Sequence, residues 1–137
     1  MKKLLLACTL LASVTMMSCE KENSGTENTD VGLGNVEIRY DFTATTPAEY
    51  FFVFTRGTEV TDDSIVTQNY SRTFTAIRRS APSVAQFEVF PPEDWMNTTE
   101  SATVNLKISV NGTVMKDTTG ILAGVDRPTG ISVTTTY

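Results

Sequence analysis

The feature that most constrains this chain is a strict alternation, Val104-Asn105-Leu106-Lys107-Ile108-Ser109-Val110, that runs into Asn111-Gly112. Successive side chains of a β-strand point to opposite faces, so residues two apart line one face. The run therefore presents an apolar face and a polar one, as a half-buried strand does and a helix does not. Asn-Gly supplies two residues that tolerate positive φ, which a two-residue type I′ turn requires. A strand, a tight turn and a return over residues 113–116 are expected. The apolar face of that hairpin must then be covered by another layer.

The same rhythm recurs along the chain. Val36, Ile38, Tyr40 and Phe42 alternate with Glu37, Arg39, Asp41 and Thr43, and Thr45-Thr46-Pro47 ends that strand. Residues 50–54 are apolar on both faces, which predicts a central strand with its aromatic rings in the core. Arg56-Gly57-Thr58 is a turn. Residues 59–66 form a weaker strand at an edge, interrupted by Asp62-Asp63. Residues 70–77 are extended, with Phe74 as core anchor, until Ala81-Pro82-Ser83 breaks the run. Ala85, Phe87 and Val89 alternate up to Pro91-Pro92-Glu93-Asp94, which opens a loop carrying Trp95 and Met96. Ile131, Val133 and Thr135 make the last strand, which ends at Tyr137. These are about seven or eight short antiparallel strands with no helical window, the pattern of an all-β sandwich or barrel. The abundance of Thr agrees. Residues 35–137 have the size of an immunoglobulin-like β-sandwich, without the Cys-Trp-Cys core of antibody domains.

The N-terminus reads as an address. Lys2 and Lys3 precede an apolar stretch over residues 4–17, long enough for a signal peptide and too short to span a bilayer. It ends in Met16-Met17-Ser18-Cys19, which resembles the lipobox of bacterial lipoproteins: a small residue directly before the modified cysteine. Met16 and Met17 depart from the usual Leu and small residue. The resemblance implies removal of residues 1–18 and a diacylglyceryl group on the Cys19 thiol, with a further palmitate-type chain on its freed amine. One acyl chain anchors marginally, whereas two or three hold firmly. Cys8 has too few residues before it for such a signal. Residues 19–34 are polar and aperiodic and read as a tether of roughly 20 Å reach. Glu20-Lys21-Glu22 is similar to the short export signals of Bacteroidetes surface lipoproteins. The localisation implied is the cell envelope at the outer membrane, either surface-exposed or facing the periplasm.

Charge and missing residues narrow the chemistry. The chain carries a formal net charge of -5, and loss of residues 1–18 removes two lysines and no acid. Such a chain is not drawn to nucleic acid. It contains no histidine, and both its cysteines, Cys8 and Cys19, precede the domain. Ser-His-Asp and Cys-His catalysis and His- or Cys-based zinc sites have no residues to use. No enzyme activity, cofactor or metal is expected. The remaining carboxylate pairs are Asp62-Asp63 and Glu93-Asp94. Neither follows a calcium-loop spacing, and adjacent acids do not face each other across a cleft as glycoside hydrolysis needs.

Trp95 with Met96 is the candidate contact for a ligand or partner; the alternative is that Trp95 folds back to plug the open end of the sandwich. Asp63-Ser64-Ile65 and Asp117-Thr118-Thr119 resemble Bacteroidetes O-glycosylation triplets, which makes Ser64 and Thr118 candidate sites. Arg78-Arg79 is the one basic pair of the domain and reads as a solvated strand end. A last strand ending at Tyr137 invites strand exchange with a partner's sheet, as fimbrial subunits do.

The overall layout resembles small secreted Bacteroidetes lipoproteins with immunoglobulin-like folds. The order Val-x-Ile-x-Tyr-x-Phe over 36–42, then Val-x-Leu-x-Ile-x-Val-Asn-Gly over 104–112, is also similar to MmpS-like domains, the accessory partners of lipid-exporting pumps. This chain departs from them in its cleaved, lipidated end. The expected function is a non-catalytic lipoprotein that binds an envelope protein or glycan. An accessory subunit of an envelope transporter is the alternative, followed by a fimbrial or adhesion component.

Overall fold

The alternating run at 36–42 and the aromatic run at 50–54 are parts of one strand, β1 (Asn35–Arg56), continuous over 22 residues. The computed structural model describes residues 33–124 and 129–137; the expected signal segment, Cys19 and the expected tether up to residue 32 lie outside them. A straight strand of β1's length would run about 70 Å, roughly twice the diameter of a domain this size. β1 instead bends at residues 44–47. These lie between the pairs Thr43–Asn69 and Ala48–Thr67, opposite Gln68 alone on the neighbouring strand. The bulge is why Pro47 is tolerated inside a strand: it has no N–H to give, and the ladder is interrupted there. Three bonds hold the bend. The Tyr50 hydroxyl donates to the Thr46 carbonyl (2.6 Å), the Gln68 amide to the Thr45 carbonyl (3.3 Å), and the Thr103 N–H to the Thr45 hydroxyl (3.0 Å).

β2 (Glu59–Ile77) pairs with both arms of β1. On its other side β1 has a different partner for each arm. The first arm pairs with β4 (Ser101–Val110), the second with β3 (Val84–Phe90). β5 (Thr113–Ala123) extends the sheet beyond β4, and β6 (Ile131–Thr136) beyond β3. All pairs are antiparallel. The result is a sandwich-like, all-β fold whose layers, β2-β1-β4-β5 and β2-β1-β3-β6, share one folded hairpin. Eight sequence runs become six strands, because runs 36–42 and 50–54 form β1 and runs 59–66 and 70–77 form β2. Asn111 and Gly112 both have positive φ (47° and 79°), as the expected hairpin turn requires.

The bend turns the two arms of β1 face to face, and their rings make the core. Tyr40 meets Phe54 and Phe87 edge-on at 5.2 and 5.4 Å, and Phe42 meets Phe52 at 5.0 Å. Burial raises the Tyr40 pKa well above the usual phenol range, and its hydroxyl donates to the Thr55 carbonyl (2.9 Å). β2 has no buried residue; Tyr70 and Phe74 cover the open side at partial exposure. There Tyr70 stacks on Phe52 at 4.8 Å. Asp63 accepts from the Tyr70 hydroxyl (2.8 Å) and from Arg72 (2.9 Å), tying the two arms of β2 together. Asp62, one residue away, points to the opposite face.

Candidate functional site

The sandwich has two unlike ends. One holds the bend of β1 and the segment 91–100. The other holds the point of chain entry into β1, the 57–58 turn and the 78–83 loop.

At the bend end, Pro91 and Pro92 stop β3 because neither offers an N–H for the ladder. A 3-10 turn, Glu93–Trp95, follows. Three residues per turn send consecutive side chains in different directions: Trp95 goes inward while Glu93 and Asp94 stay exposed. The Trp95 N–H donates to the Pro92 carbonyl (3.1 Å), and its own carbonyl accepts from the Thr98 N–H (3.0 Å) and hydroxyl (2.7 Å). Its ring packs edge-on against Tyr50 at 6.1 Å. Gly124 lies so close that a Cβ there would overlap the Trp95 carbonyl. Trp95 is 6% exposed, a core residue, whereas Met96 is 46% exposed. Of the pair expected to contact a partner, Met96 alone presents itself to solvent; Trp95 closes the sandwich, because the 3-10 turn aims it inward.

Beside this turn lies a shallow cleft of about 470 Å³, lined by Glu49, Phe51, Ser64, Pro91, Pro92, Glu93 and Asp94. Phe51 is the residue that sequence reading placed in the core. It faces outward, 40% exposed, because the one-residue offset from Tyr50 and Phe52 puts it on the other face. Its ring lies 6.1 Å from that of Phe90, its strand partner in register. Glu49, Phe51 and Ser64 come together because β1 and β2 pair Phe51 with Ser64. The Ser64 hydroxyl donates to Glu49 (3.0 Å). Among the described residues no lysine or arginine lines the cleft. Its chemistry is an aromatic floor ringed by three carboxylates, suited to a group that is both cationic and partly apolar.

The other sequence candidates are dispersed. Ser64 is exposed at the cleft wall, whereas Thr118 is half-buried on the core-facing side of β5, opposite Leu106. Asp62 and Asp63 point to opposite faces of β2, so they do not act as a pair. Among the described residues no group of three or more acids, histidines or cysteines is placed to hold a metal. Cys19 lies outside the described residues. The site residues missed from the sequence are Glu49 and Phe51; the run 50–54 is apolar on both faces and gave no sign of which ring is exposed, although strand geometry alone sets Phe51 on the face opposite Tyr50 and Phe52.

A second cleft, of about 530 Å³, lies at the entry end and is lined among others by Arg56, Glu59, Ile77, Arg79, Pro82 and Tyr137. Arg56 spreads over the Phe74 ring (3.9 Å), donates to Thr61 (2.9 Å) and pairs with Glu59 (3.4 Å).

Compared with known proteins, the sequence matches no family model and no curated protein.

Proposed function

We propose that this chain is a lipid-anchored interaction module of the cell envelope, which uses its bend-end cleft to engage a protein partner that presents a basic side chain. The anchor reading is supported by the signal-like segment 1–18 and Ser18-Cys19. No helix among the described residues is long and apolar enough to cross a membrane; the anchor reading assigns attachment to Cys19.

The observation that carries the binding reading is the cleft itself: Phe51 exposed between Glu49, Glu93 and Asp94. An exposed aromatic among charges of one sign, with no cationic side chain beside them among the described residues, is poorly explained by stability, since like charges repel and the ring gains little at the surface. It is well explained by a partner that brings the opposite charge. Glu93 and Asp94 are held by a turn anchored through buried Trp95, so the cleft is formed before a partner arrives.

The test is photo-cross-linking on cells from a photoreactive residue at Met96, next in the chain to the Glu93–Trp95 turn. A discrete adduct is expected. It should be lost in a triple variant carrying Glu49→Gln, Glu93→Gln and Asp94→Asn, and be weaker at high salt. An adduct that survives the triple variant contradicts the basic-partner reading. A carbohydrate adduct would replace the protein partner with a glycan.

A further inference from the structure

Glu49, Phe51 and Ser64 belong to the bend-end cleft and also to the outer face of the layer β2-β1-β3-β6. We infer that the protein partner engages that whole face and not the cleft alone, and that it sets two basic side chains about 10 Å apart there, on either side of an apolar group. The inference rests on the basic-partner reading above and deepens it.

The two outer faces of the sandwich handle charge differently. On the β2-β1-β4-β5 layer Arg39 pairs with Asp41 (2.8 Å) and Lys107 lies 3.9 Å from Asp117, so that face offsets its own charges. On the β2-β1-β3-β6 layer the outward positions are 60, 62, 64 and 66 of β2, 49, 51, 53 and 55 of β1, 84, 86, 88 and 90 of β3, and 132, 134 and 136 of β6. They carry Glu49, Asp62 and Glu88 and no lysine or arginine. The segments outside the described residues do not reverse the sign. Residues 125–128 hold Asp126 and Arg127, and residues 1–32 hold Glu20, Glu22, Glu27 and Asp30 against Lys2, Lys3 and Lys21.

Strand register fixes the pattern a partner must match. Val53 lies between Asp62 on β2 and Glu88 on β3, and the spacing of neighbouring strands puts the Cα atoms of those acids about 10 Å apart. The adjacent row is Ser64, Phe51 and Phe90. The two rings are 6.1 Å apart and tilted by 47°, and Phe90 lies over Gly130, where a Cβ would come within 2.7 Å of the ring. Tilted rings make a furrow, not a flat platform on which a sugar would stack. A furrow suits an aliphatic stem or a guanidinium group, with carboxylates at its sides for the charge. A second copy of this chain has little to bring: Arg39, Arg56, Arg72 and Lys107 are each paired with an acid of their own chain. The charge that complements this face therefore comes from a different protein.

The experiment places a photoreactive residue in the full chain on cells, at Met96, Ser132 or Thr73 in turn; all three positions are exposed. Ser132 pairs with Glu88 at the far side of the face, whereas Thr73 pairs with Arg39 on the outer face of the other layer. The same protein adduct is expected from 96 and 132 and none from 73, and the partner peptide joined at 132 should contain lysine or arginine. Asp62→Asn with Glu88→Gln should lower both yields about fivefold, as expected for the loss of two surface ion pairs. An unchanged urea midpoint shows that the double variant is folded, and high salt should lower both yields in the wild type as well. An adduct from 96 without one from 132, an equal adduct from 73, or an adduct at 132 indifferent to the double variant and to salt would overturn the inference and leave the cleft reading standing. An adduct at 132 to a glycan or to a second copy would overturn it too. If 96 yields no adduct, the cleft reading fails and this inference fails with it.

Discussion

At the bend end the core is closed by Trp95, packed edge-on to Tyr50 beside buried Pro91 and Pro92. At the entry end it is closed by backbone hydrogen bonds between Ser83 and Tyr137 (2.9 and 3.1 Å) and by Arg56 laid over Phe74. The same core thus has an apolar lid at one end and a polar one at the other. An aromatic plug needs no partner from the surface, so the outer side of the bend end is free to carry carboxylates around Phe51. The Arg56 lid must satisfy its own charge, and Glu59 and Thr61 are committed to it. What each end can offer a partner follows from how it is sealed.

Removing each lid should affect the two ends differently. Trp95→Ala should cost about 3–5 kcal/mol, the range for a buried aromatic, and lower the urea midpoint accordingly. A loss below about 1 kcal/mol would mean that Trp95 is not a plug.

Alkaline titration comes next. Burial is the main cause that raises Tyr40, Tyr50 and Tyr70, and Tyr70 is raised further by its bond to Asp63. The folded state holds these protons more tightly than the unfolded state does. Their contribution is therefore complete below the ordinary value of 10.0 and is lost as pH rises above it. Phenolate absorbance from these three should appear together with unfolding, not ahead of it.

Arg56→Ala, at the polar lid, should cost about 1–2 kcal/mol through lost ring contact and hydrogen bonding. Asp63→Ala should cost about 1 kcal/mol, because the tie to Tyr70 and Arg72 is partly exposed. Glu93→Gln with Asp94→Asn should change stability by less than about 0.5 kcal/mol while weakening cross-linking from Met96. A double variant that instead destabilises would place those acids in the fold and not in a site.

Much of the fold was legible in the sequence, for a physical reason. Burial of one strand face forces period two, so residues 36–42, 85–89 and 104–110 announced themselves, and Asn111-Gly112 announced its turn. The bend was not legible. Pro47 reads as a stop because proline cannot join a ladder, yet a bulge opposite Gln68 removes the need for its N–H. The cleft was half legible. Glu93 and Asp94 stood out as a pair, but Glu49, Phe51 and Ser64 join them only through the β1–β2 register, which a period cannot specify. The closure of the entry end was hidden for the same reason: Arg56 meets Phe74, and Ser83 meets Tyr137, through pairing and not through sequence distance.

The proposed function requires the domain to be tethered through Cys19. The most direct measurement compares wild type and Cys19→Ala in cells fed labelled palmitate, followed by fractionation. Label is expected in wild-type protein that partitions with membranes, and neither label nor membrane partition in the variant. Equal size, equal fractionation and no label in either would contradict it.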